Sequence, residues 1–250
     1  MSPKTVLILS AEHASCAIPP ELQKLWPRRH FNYHWVYDKH SKQMAELFQK
    51  QIQTKLFVGK WGRIVADLNR VPDHPEKPIK NVIIPEKSFG WKIPFNQNLT
   101  KKQHEARLKK YYYTYFDPLY NEIARNIVAG NNVLHLSIHS FVRKYRSKIR
   151  PTHMGILFDE TRKKDREVAE ALQQFLRYRE VEAKLNYPYK DVHKYGIQCH
   201  IERKLRSEHK DVEKNYLCLT LEFQIECVSS IKRRNRLSKV ISTFLKDTSV

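Results

Sequence analysis

The sequence predicts one α/β domain over residues 1–250, with a mostly parallel mixed sheet flanked by helices. Short apolar runs such as Val6-Leu7-Ile8-Leu9, Val133 to Ile138 and Tyr216 to Leu221 read as buried strands. Amphipathic helical patterns alternate with them, the order that builds a parallel sheet with helices on its faces. No linker divides the chain: only 6 of its 250 residues are Gly, and 41% are hydrophobic, enough for one sizeable core.

In order, Thr5 to Leu9 is a strand, and Pro19-Pro20 precedes a short helical piece. Asp38 opens a helical pattern with Met44, Leu47, Phe48 and Ile52 on one face. Leu56 to Val58 and Arg63 to Ala66 read as strands, the second ending at Asp67-Leu68-Asn69-Arg70. Residues 71–99 carry Pro and Asn with little periodicity; so long an irregular connection suggests a functional or covering segment. Thr100 caps a long helix with Leu108, Tyr112, Tyr115 and Leu119 inward, which Asp117-Pro118 kinks or restarts and Gly130-Asn131-Asn132 stops. Val133 to Ile138 and Met154 to Phe158 are strands, Arg162 to Tyr178 an amphipathic helix, and Val181 to Leu185 and Tyr216 to Leu221 strands. Ser230 to Leu245 closes the chain as a helix.

The formal charge of +20 favours anionic partners but says nothing about fold. The densest basic runs, Arg143 to Arg150 and Lys232 to Arg236, match no nucleic-acid-binding motif, so nucleic acid is not the expected partner. Cys16, Cys199, Cys218 and Cys227 fit neither a zinc ribbon nor a disulfide framework, and reduced thiols suit a cytoplasmic location. No apolar stretch has the length of a signal peptide core or a membrane span. The oligomeric state is left open.

Several strands end in a residue able to do chemistry: His13, His139, Glu222 and Asn186. Parallel strands gather their carboxyl ends on one rim, so two imidazoles and a carboxylate could share a zinc ion there. The carboxylate is Glu12 or Asp38. Neighbours on an extended segment point opposite ways, which disfavours Glu12 beside His13. Asp38 is preferred, although the pattern alone leaves helix N-cap and ligand equally open. Glu222, ending an apolar strand, is expected to have its pKa raised by desolvation, as suits a general acid/base. His135 alternates with strand positions and reads as structural.

Seven stretches, "SAEHASCAIP", "DKHSKQMAELF", "GRIVADLNR", "LSIHSF", "RPTHMGILFD", "LNYPY" and "LTLEFQIE", occur in this order. Together, from the first strand to Glu226, they resemble the N-formylglutamate amidohydrolase family. The resemblance implies a zinc-dependent amide hydrolase with a fold like that of zinc exopeptidases and cell-wall amidases. It implies one zinc ion held by His13, Asp38 and His139, with Glu222 as catalytic acid/base and His200 near the scissile group. Arg70 and Arg150 would hold a substrate carboxylate, with Asn69 and Asn186 beside them. One departure stands out: where the family has an Arg close behind the Glu, this chain has Phe223-Gln224. The expected substrate is a small anionic N-acyl amino acid such as N-formylglutamate. The alternatives are a zinc amidase for peptidoglycan or peptides, and an inactive basic binding protein on the same frame.

Overall fold

Six strands form one mixed sheet in the computed structural model, which describes residues 4–26, 31, 33–72, 82–190, 194–209 and 212–247. They are β1 (Thr5–Ala11), β2 (Lys55–Val58), β3 (Asn132–Phe141), β4 (Met154–Leu157), β5 (Ala183–Leu185) and β6 (Tyr216–Gln224), in spatial order β2-β1-β3-β6-β4-β5. The first three and β6 run parallel; β4 is antiparallel to β6, and β5 follows β4. The carboxyl ends of β1, β3 and β6 therefore share a rim, while β5 ends at the opposite edge.

The helices are α1 (Pro20–Gln23), α2 (Ser41–Ile52), α3 (Lys101–Arg107), α4 (Thr114–Val128), α5 (Lys163–Arg177), α6 (Ile197–Glu208) and α7 (Ile231–Asp247). Thr100 caps α3 in a reciprocal box with Gln103, as its hydroxyl and that spacing allow. The long helix expected after it is broken by a π-helical turn at Leu108–Tyr113, ahead of Pro118 rather than at it. No helix among the described residues is long and apolar enough to cross a membrane.

Two sequence expectations differ from the structure, and one helix was not expected. Arg63 to Ala66 is not a strand: Ile64 and Val65 are buried, but the backbone turns, with Val65 N–H bonding to Gly62 O. Helix α2 starts at Ser41, and its N-cap position is His40 with a left-handed φ of 71°, so Asp38 does not cap it. Helix α6 falls on a charged stretch with only a narrow apolar line, Ile197, Ile201 and Leu205.

Period-two alternation explains where a site can form. One sheet face carries Leu9, Leu134, Leu136, Ile138, Leu217, Leu219 and Leu221, packed against α2, α5 and α7. The other face is apolar at Ile8, Val133 and Tyr216 and turns polar toward the rim: Ser10 on β1 with Glu12 just past its end, Ser137 and His139 on β3, Thr220 and Glu222 on β6, all buried. Buried polar side chains need partners. Some come from α6, where Gln198 bonds to Thr220 and to Leu219 O. Others come from the turn at 63–70.

Candidate functional site

His13, Asp38 and His139 meet where that polar face reaches the rim. Each offers one ligand atom, and the three atoms lie within 4.8 Å of one another. Asp38 Oδ2 is 2.7 Å from His139 Nδ1 and 3.4 Å from His13 Nδ1. The imidazole rings sit edge to face with centroids 5.0 Å apart.

A separate buried partner holds the far side of each group. His13 Nε2 is 2.7 Å from Asp67 Oδ1. Asp38 Oδ1 accepts from the guanidinium of Arg63. His139 Nε2 is 2.9 Å from Glu12 Oε2, with Ser137 Oγ also at 2.9 Å. Glu12 is itself fixed by donation from Ser137 Oγ at 2.6 Å and from Tyr115 OH at 3.3 Å. A glycine at 59 is required here, because a Cβ there would lie 2.0 Å from Glu12 O. Carboxylates behind imidazoles in this way fix tautomer and ring orientation. Glu12 is thus the support of His139, and Asp38 is the carboxylate that converges with the two imidazoles.

The site electrostatics follow from this pairing. Burial alone would raise the Glu12 pKa, but the hydrogen bond and charge of His139 outweigh it and hold the group at about 2. Burial disfavours a charged His139, yet Asp38 and Glu12 override it and raise its pKa to about 10. Asp38 is held well below the ordinary carboxylate range, Arg63 and the two imidazoles overcoming burial. His13 Nδ1 is buried, has no hydrogen-bond partner and lies 3.4 Å from Asp38 Oδ2. The donor set and this orphaned atom fit a metal ion.

Glu222 pairs with His139 across β3 and β6. It is buried, its Oε2 has no partner, and burial raises its pKa to about 8, against the pull of His139. A carboxyl whose pKa is raised this far is a stronger base than an ordinary carboxylate and can also return the proton. Glu222 and the three convergent residues line a pocket of about 630 Å³.

Asn69 and Arg70 also line the pocket. Their turn is pinned by Ile197 N–H on Asn69 Oδ1 and by Tyr112 OH on Arg70 O, both at 2.9 Å. Arg150 stands one ring back, its guanidinium 4.8 Å from the Tyr145 ring and 5.1 Å from that of Tyr189, which lines the pocket. Gln224, where the resemblance leads one to expect Arg, is spent on backbone: its amide donates to Arg150 O and Thr152 O.

Two expected site residues lie elsewhere. His200 does not line the pocket; it stacks on Phe116 at 3.9 Å and bonds Tyr112 OH at 2.7 Å, and burial lowers its pKa to about 4. Asn186 follows β5 at the opposite edge, where its amide serves Phe158 N and Glu160. The chain then folds back over Gly155, a Cβ at which would sit 1.6 Å from Tyr187 O, and brings Tyr189 to the pocket.

Arg63 and Asp67 were not singled out from the sequence. A signal for them was present in the alternation itself: buried acids and imidazoles at every second strand position demand counter-groups from a covering segment, and 63–70 is the nearest polar one.

The comparisons with known proteins agree with this architecture. The family model for N-formylglutamate amidohydrolase matches residues 5–225. A crystal structure of a gene product of Agrobacterium tumefaciens superposes with a TM-score of 0.76 at 23% identity, covering 96% of this chain and 88% of that one. The N-formylglutamate amidohydrolase of Ralstonia eutropha gives 0.64 at 15% identity, covering 97% and 93%. No curated protein matches the chain significantly by sequence.

Proposed function

The chain belongs to the N-formylglutamate amidohydrolase family, and from that premise we propose that it hydrolyses the amide bond of a small anionic N-acyl amino acid, using one zinc ion held by His13, Asp38 and His139. The observation that carries the reading is the convergence of three ligand atoms, each braced from behind, around a His13 Nδ1 that has no partner of its own. Two imidazoles and one carboxylate are a donor set of catalytic zinc. Four free thiols suit a reducing, cytoplasmic setting.

A divalent ion held there supplies Lewis acidity toward the scissile carbonyl oxygen. His139 would hold such an ion as a neutral imidazole, without the proton between its Nδ1 and Asp38. Glu222 accepts a proton from the attacking water and returns it to the departing nitrogen, and its raised pKa of about 8 supports both halves of that exchange. Arg70, partly exposed at the pocket and only 3.5 Å from Asp67, binds a substrate carboxylate. Asn69 orients the same end. Arg150 acts through Tyr189, and His200 through Tyr112, as positioning residues.

Glu222→Gln is the direct test. It should retain zinc by elemental analysis and lose about 10²–10⁴-fold in kcat on N-formyl-L-glutamate or another N-acyl amino acid that the native protein turns over. Near-normal turnover would remove Glu222 from the mechanism.

A further inference from the structure

The pocket is larger than a formylated amino acid requires. A cavity of about 630 Å³ falls within the range of sites for drug-sized ligands, roughly 300–1,000 Å³. Its extra wall is segment 82–89, which contributes Val82, Pro85 and Phe89 together with the polar Glu86, Lys87 and Ser88. That wall ends in a hairpin, Lys87–Ser88 with Trp91–Lys92, whose tip holds Phe89 and Gly90 at φ of 49° and 87°. A second hairpin, Lys144–Tyr145 with Lys148–Ile149, meets it: the Phe89 and Tyr145 rings touch edge to face with centroids 6.2 Å apart.

Phe89 is 50% exposed and Tyr189 36% exposed, and both line the pocket. Exposed aromatics gathered at a cavity mark a binding surface, unlike single exposed apolar residues. The wall is also fixed in place. Asp67 N–H bonds to Ile83 O at 2.7 Å, Ser88 Oγ to Trp35 O at 2.8 Å, and Asn96 Nδ2 to Pro85 O at 2.8 Å. A surface ordered before binding loses little entropy when it is covered.

We propose that this aromatic wall is an acyl subsite and that the preferred substrates are N-aroyl or similarly bulky N-acyl amino acids rather than N-formyl ones. The amino-acid half of such a substrate carries carboxylates and belongs with Arg70. The acyl half is uncharged, and the lining rings of Phe89 and Tyr189 match it, with Tyr145 packed against Phe89. Water adds across the amide: hydroxyl joins the acyl carbon, the C–N bond breaks, and the nitrogen leaves as an amine with the proton. The inference rests on the amide-hydrolase reading above.

N-benzoyl-L-glutamate and N-formyl-L-glutamate differ only in the acyl group. Because the benzoyl carbonyl is intrinsically the less electrophilic, the subsite is read from their dissociation constants and from how variants change their kcat/KM ratio on the zinc-loaded protein. By calorimetry on Glu222→Gln, the dissociation constants should differ roughly ten- to hundredfold in favour of benzoyl, the scale of burying one phenyl ring. Phe89→Ala and Tyr145→Ala, at native zinc content, should each cut the benzoyl-to-formyl kcat/KM ratio severalfold. Equal dissociation constants, or a kcat/KM ratio that Phe89→Ala and Tyr145→Ala leave unchanged, overturns the acyl subsite while the hydrolase reading stands. Turnover of neither compound, nor of any other N-acyl amino acid, overturns both.

Discussion

His135 and His139 lie on the same face of strand β3, both buried, yet their surroundings drive them in opposite directions. His135 has neutral neighbours: Ser10 Oγ at 2.7 Å on Nε2 and Tyr216 OH at 2.7 Å on Nδ1. Burial dominates, and its pKa falls to about 4. His139 lies between Asp38 and Glu12, and its pKa rises to about 10 despite the same burial. What separates the two is the presence of carboxylates within hydrogen-bonding distance, since depth in the sheet is equal. One histidine completes a neutral network that holds β1, β3 and β6 together. The other holds a charge that a metal ion could replace.

Removing each histidine should break the molecule differently. His139→Ala is the largest expected effect: zinc is lost by elemental analysis, and hydrolysis falls at least about a thousandfold, as for loss of an essential catalytic group. Next comes Glu12→Gln, which keeps the hydrogen bond but removes the charge behind His139. It should weaken zinc binding about 10–100-fold in competition with a chelator. His135→Ala should keep native zinc content and lose about 2 kcal/mol in urea unfolding, from the cavity and the stranded Ser10 and Tyr216 hydroxyls. If His135→Ala also released the metal, the two histidines would be one functional unit and the contrast would fail.

The strands that carry this contrast were legible because their apolar runs are short and sharply bounded. The position of His13, His139 and Glu222 at the rim followed from parallel topology, and Asp38, which the pattern left tied between helix cap and ligand, was tipped to ligand by the resemblance. Other features needed the third dimension. Ile64 and Val65 look like strand residues because the turn buries them as deeply as a strand would. Helix α6 was hidden by its charge and by an N-terminus with no side-chain cap. Arg63 supports Asp38 across 25 residues and Asp67 supports His13 across 54, links that no local pattern carries. His200 was placed by resemblance in the catalytic set, but Phe116 and Tyr112 take up its ring.

The pH dependence of stability gives the smallest effect and the sharpest form of the contrast. A histidine whose folded pKa is lowered stabilises the fold fully above its unfolded value and loses that contribution as pH falls toward the folded value. For His135 the window runs from 6.5 down to about 4. Between pH 6.5 and 5.5 the loss should be about 1 kcal/mol, because the unfolded chain takes up a proton that the folded chain refuses. In metal-free protein, His139 has the opposite sign: its contribution is complete below pH 6.5 and is lost as pH rises toward 10. Urea unfolding of metal-free protein at pH 5.5 and 6.5, native against His135→Gln, isolates the first term, because every other group titrates alike in both. The native protein should lose about 1 kcal/mol more than the variant over that unit. Equal slopes would mean that His135 is protonated in the fold, with Ser10 and Tyr216 both accepting from it, and the neutral network would have to be redrawn as a charged one.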